Sequence, residues 1–104
     1  MSEMMTGKQA LLEMLKAEGV QHIFGNPGTS EAPIMDLLGD YPELKYFLTL
    51  QESVAMGMGE SYARATEKPS LVMLHVDSGL ANGIAIMLDA LNTGTPMEIG
   101  RAHV

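Results

Sequence analysis

Residues 70–91 read SLVMLHVDSGLANGIAIMLDAL. The first seven are apolar almost throughout, too few for a typical buried helix and suited to a strand covered on both faces. Asp77-Ser78-Gly79 reads as a turn. From Leu80 to Leu91 a second apolar run, interrupted by Asn82 and Asp89, has the length of a helix. A strand without a polar face, followed by an apolar helix, is the repeating unit of a parallel sheet packed between helices.

The same unit recurs on the N-terminal side. Over residues 6–18, Ala10, Leu11, Met14 and Leu15 recur at helical spacing, with Thr6 placed to cap the start and Gly19 to follow the end. VQHIF reads as a strand and GNPGTSE as a turn-rich loop. Pro33 suits the first turn of a helix reaching about Leu38, which GDYPE ends. LKYFLTL reads as another strand. Residues 52–66 read as a helix whose Ala55, Gly57, Gly59 and Ala63 permit close packing. The order α-β-α-β-α-β-α predicts an α/β fold, a parallel sheet with helices on both faces. In such sheets ligands bind beyond the carboxyl ends of the strands. Three segments follow strands here and would share that edge: GNPGTSE, the Gln51-Glu52 junction and HVDSG.

Composition narrows the classes. The 104 residues suffice for one small domain. A net charge of −7 argues against nucleic acid, which needs clustered Lys and Arg. With no Cys there is no disulfide framework, thiolate metal site or cysteine nucleophile. The opening MSEMMTGKQ lacks the basic and apolar regions of a secretion signal. The longest apolar run is too short to span a bilayer. A cytoplasmic location, without membrane contact, is expected.

Glu52 is the leading candidate for chemistry. It falls where an apolar strand hands over to a helix, near Leu48, Leu50, Val54 and Met56. A helix N-terminus favours the ionised form and apolar surroundings the protonated one, a balance that suits proton exchange. The plainer reading is a Glu that stays solvated or caps its own first turn. GNPGTSE lets backbone approach a ligand closely. It lacks the Lys and the closing Ser or Thr of a P-loop and does not follow GxGxxG. Its plainer reading is an ordinary turn. Thr29, Ser30 and Glu31 are candidates for polar contact with a substrate. His75 ends the third strand beside the other two loops, where an acid–base His is commonly delivered to a cleft. His22, inside a strand, reads as structural. No metal site is expected from His22 and His75, since no third ligand is spaced to join them. The 10 Met residues read as core filler.

Taken in order, GVQHIFGNPGTSE, LTLQESVAMGMGESYARAT and KPSLVMLHVDSGLANGIAIMLDALNTGTPM resemble the N-terminal pyrimidine-binding domain of thiamine diphosphate-dependent enzymes. That group includes acetolactate synthase, pyruvate decarboxylase and benzoylformate decarboxylase. The resemblance runs from about Thr6 to Met97. It implies that Glu52 is catalytic and cofactor-binding: the glutamate at this place hydrogen-bonds N1′ of the aminopyrimidine and favours the imino tautomer, whose 4′ nitrogen takes the proton from thiazolium C2. It implies cofactor contact for Asn26, Pro27 and Gly28.

Gln51-Glu52 is similar to the benzoylformate decarboxylase type, whereas acetolactate synthases carry His-Glu. FGNPG followed by Thr29, and the pair Leu74-His75, match that type too. They imply substrate contact for Thr29, and substrate contact with proton transfer for His75. HVDSG departs from the His-Ser of that type. The implied protein is a 2-oxo acid decarboxylase or carboligase, a homodimer or homotetramer when complete. Its Mg²⁺ ligands would lie in a downstream domain that this chain lacks. The alternatives are an acetolactate synthase-like carboligase and a non-catalytic α/β module binding an anion through GNPG.

The last residues break the pattern. In the resembling family GTPM leads into a buried strand, but here Glu98, Arg101 and His103 follow. Charges would interrupt a central strand. EIGRAHV also matches, residue for residue, the in-frame translation of a widely used sequencing adapter. The expectation is therefore a partial pyrimidine-binding domain over 1–97 and a non-native tail over 98–104, the fragment being inactive alone.

Overall fold

A computed structural model describes residues 4–102. Helix α1 (Gly7–Ala17) begins at Thr6, whose hydroxyl accepts from the Gln9 amide while the Gln9 side chain accepts from the Thr6 amide at 2.9 Å. This reciprocal cap satisfies two donors that the first turn leaves free. Gly19, at φ 85°, turns the chain out of the helix, in the left-handed region open to glycine. Strand β1 (His22–Gly25) follows. A single 3₁₀ turn (Thr29–Glu31) then leads into α2 (Ala32–Leu37), with Pro33 in its first turn, and a second 3₁₀ turn ends at Asp40. Then come β2 (Lys45–Leu48), α3 (Glu52–Thr66), β3 (Ser70–His75), α4 (Val76–Thr93) and β4 (Met97–Ala102).

All pairings are parallel, and the strand order is β2-β1-β3-β4. Side chains of β3 alternate between the two layers, as the pleat requires. Leu71 and Met73 join Leu12, Leu15, Ile23 and Leu37 under α1 and α2. Val72 and Leu74 join Phe24, Ala55 and Met56 under α3, with Leu80 and Ile86 of α4 packed beside them. Gly59 lets α3 lie against β3: a Cβ there would be 2.6 Å from Val72 Cγ2.

Three expectations are corrected. Asp77-Ser78-Gly79 is not a turn but lies in the first turn of α4, which starts directly after His75. The change from strand to helix is made by one residue, Val76, at φ 45°. The second strand ends at Leu48, and Leu48 and Leu50 are exposed, because β2 lies at a sheet edge. The charges after Met97 do not interrupt a strand. Residues 97–102 pair with β3 from Ser70↔Met97 to His75↔Ala102. The ladder is made by backbone, and this strand too is an edge, so Glu98 and Arg101 remain exposed, with Arg101 paired to Asp77.

Candidate active site

Parallel pairing puts the carboxyl ends of β1, β2 and β3 on one edge. Because β1 lies between the other two, its loop stands between the Gln51-Glu52 junction and His75.

Glu52 is the first residue of α3 and is 8% exposed. It neither stays in solvent nor caps its helix. The cap is Gln51, whose side chain accepts from the Ser53 amide. The Glu52 carboxyl turns inward against α4, where Asn82 Nδ2 donates to Oε2 at 3.2 Å. Gly79 makes the space: a Cβ there would lie 3.4 Å from Glu52 Cγ and 3.5 Å from Oε1. Gly79, Asn82 and Gly83 fall three and four residues apart and so share one face of α4. Asn82 is the partner that sequence reasoning missed. Its signal was there, a polar residue interrupting an apolar helix one turn from a glycine.

The loop after β1 is tied to β3. Gly28 faces the His75 ring so closely that a Cβ would meet Cε1 at 2.2 Å. Glu31 is 1% exposed, and its Oε2 lies 2.8 Å from both the Gly28 amide nitrogen and His75 Nδ1. A side chain so enclosed is not a surface contact for substrate, which corrects the expectation for Glu31. Thr29 stands exposed beside it, and Asn26, Pro27 and Gly28 are half-buried along the loop.

Beneath the loop three buried polar atoms have no hydrogen-bond partner among the described residues: Glu31 Oε1, Tyr46 Oη and Thr49 Oγ1. Burial, followed by the negative charge of Glu31, pushes the Tyr46 phenol up to about 12. The edge thus brings together Glu52, Gly28, Glu31 and His75, with Thr29 at its rim. His22 stands apart, stacked on Phe47 and near Tyr62. Burial first, then Lys45 and Lys68, hold its imidazole below the usual range.

Fold and site define a parallel α/β ligand-binding domain whose working edge lies beyond its strands. A family profile described as "Thiamine pyrophosphate enzyme, N-terminal TPP binding domain" matches residues 5–99. The chain belongs to this family. It is 41% identical over 95 residues to a Mycobacterium tuberculosis protein described as "Putative acetolactate synthase large subunit IlvX", covering 91% of this chain and 18% of that protein. It is 36% identical over 97 residues to a benzoylformate decarboxylase of Pseudomonas aeruginosa, covering 92% and 18%. Among solved structures, a thiamine diphosphate-dependent 4-hydroxybenzoylformate decarboxylase of Rhodococcus jostii RHA1 superposes with a TM-score of 0.89 at 28% identity, over 95% of this chain and 18% of that one. The chain therefore spans under a fifth of the length of the proteins it matches. Among the described residues no helix is long and apolar enough to cross a membrane.

Proposed function

We propose that this chain is the pyrimidine-binding part of a thiamine diphosphate-dependent 2-oxo acid decarboxylase or carboligase of the benzoylformate decarboxylase type, working in the cytoplasm. The observation that carries the reading is the inward-turned carboxyl of Glu52. Its Oε2 is held by Asn82, while Oε1 has no hydrogen-bond partner among the described residues. A carboxyl fixed at one oxygen and free at the other fits a ring nitrogen that needs a proton partner away from bulk water. Asn26, Pro27 and Gly28 line the approach to the cofactor. Thr29 contacts the substrate carboxylate, and His75 exchanges protons with the reacting group. Thiamine diphosphate, held with Mg²⁺ by a domain outside this chain, supplies the electron sink for loss of carbon dioxide.

The carboligase reading keeps a place because a relative described as the catalytic subunit of a mitochondrial acetolactate synthase, from Aspergillus candidus, is 37% identical over 94 residues. A flavin site in the remaining sequence would favour it.

Residues 98–104 we assign to adapter read-through on the match of EIGRAHV to the adapter translation alone, since in this chain residues 97–102 do pair as β4. Sequencing the gene from source DNA checks this, and an untrimmed locus encoding EIGRAHV and then a stop would overturn it. Under this reading the 104-residue chain alone does not decarboxylate 2-oxo acids. The complete protein would be a homodimer or homotetramer. The exposed stripe Ile84, Leu88 and Leu91 on α4, with Val54 on α3, suits burial against a second copy.

The test is Glu52→Gln in the complete protein. Losing one proton-trading group is expected to cost about 10²- to 10⁴-fold in kcat. Unchanged turnover together with unchanged cofactor affinity would refute the assignment.

A further inference from the structure

We propose that Glu31 is a positioning residue for His75, holding its neutral imidazole in the tautomer with the proton on Nδ1 and leaving Nε2 as the nitrogen that exchanges protons with the substrate. The proposal rests on the reading of His75 given above and adds to it the group that sets the ring.

The hydrogen-bond geometry carries the argument. Glu31 Oε2 sits 2.8 Å from the Gly28 nitrogen and 2.8 Å from His75 Nδ1. The backbone amide can only donate, so Oε2 is an acceptor. An ionised carboxylate oxygen has two acceptor sites and no proton to give. With Glu31 as a carboxylate, the second short contact on that oxygen requires the proton on Nδ1. Nε2 is left to carry a lone pair or a second proton, which are the two states of an acid–base group.

Sterics make the ring's orientation specific. Gly28 has no Cβ where the ring lies, and a Cβ would fall 2.2 to 2.6 Å from Cε1, Nε2 and Nδ1. The imidazole is thus confined between a glycine backbone and a carboxylate from the same loop. Glu31 is 1% exposed and the His75 side chain 31%. The orienting group is inside and the working group opens outward. Burying a carboxylate is costly unless its acceptors are used, and Oε1 has no partner among the described residues. The bonds of Oε2 to Gly28 and His75 are the ones that hold this side chain in place. The joint also couples loop to strand: a shift in the loop bearing Thr29 moves Glu31, and with it the ring.

The test is ¹⁵N imidazole NMR on the complete protein, histidine-labelled and free of cofactor, at mildly alkaline pH, with His75 assigned by comparison with His75→Gln. In the parent chain the protonated ring nitrogen is expected to be Nδ1. Glu31→Leu, apolar and of similar bulk, is expected to move the proton to Nε2. Glu31→Gln, which keeps an acceptor oxygen, is expected to retain it on Nδ1. A parent spectrum dominated by the Nε2–H form overturns the proposal, whether or not any variant folds. Retention of the Nδ1–H form in a folded Glu31→Leu overturns it as well. No cofactor or turnover enters this measurement. Failure of thiamine diphosphate binding would count against the proposed function and leave this result standing.

Discussion

At the scale of single residues, the site is built from polar groups whose burial is only partly compensated. Tyr46 Oη is buried without a partner among the described residues. Deleting such a hydroxyl removes a desolvation penalty, so Tyr46→Phe is expected to stabilise the chain by about 1 kcal/mol, read from urea unfolding near neutral pH. The same group sets an alkaline limit. Its folded pKa lies above the unfolded value, so its contribution is complete below about pH 10 and is lost as pH rises towards about 12. Tyr46→Phe should flatten that part of the stability profile, and an identical alkaline fall in the variant would contradict it. Glu52 was legible from its place between strand and helix. Asn82 and the inward role of Glu31 were not, because a sequence shows which residues share a helix face but not which side chain lies across from it.

Between elements, long-range packing decided what local pattern could not. The strand–helix alternation was legible because β3 has no polar side: its residues alternate between two apolar layers, and no other arrangement covers both. The ends of elements were less so. Asp77 and Ser78 have turn chemistry, yet an acidic residue is equally at home in a helix's first turn, where the helix dipole favours it. The aromatic contact between β1, β2 and α3 carries a pH dependence of its own. His22 stacks on Phe47 at 5.6 Å and lies 4.5 Å from Tyr62, and burial depresses its pKa. Its neutral form is the one the fold accommodates. Its contribution is therefore complete above the unfolded value of 6.5 and is lost as pH falls through the lower folded value. His22→Phe is expected to weaken the loss of thermal stability as pH falls below 6.5. A variant and parent that fall in parallel would show that other groups control the acid side.

For the molecule as a whole, the sheet has an edge strand on each side and an apolar stripe on α3 and α4. Unpaired strand edges and open apolar faces promote association. With under a fifth of its relatives' length, the chain is expected to unfold at low denaturant, to self-associate as concentration rises, and to show no 2-oxo acid decarboxylation. Sedimentation velocity and a carbon dioxide release assay check these outcomes, and measurable release by the purified chain would refute the last. The three strand-end motifs, read together, pointed to the family now shown. The pairing of residues 97–102 as β4 could not be read from their side chains, since an edge ladder needs only backbone.

Val76 carries a consequence for how such a protein adapts. A β-branched residue at φ 45° costs about 1–3 kcal/mol, and glycine there would give back about 0.5–1 kcal/mol of that through its greater freedom when unfolded. Val76→Gly is thus expected to gain up to about 1–2 kcal/mol of stability, measurable by calorimetry, while loosening the hinge that aims the neighbouring imidazole. Breeding for heat tolerance alone would therefore relax position 76 early, and the sturdier lineages would be those with a less well-directed histidine.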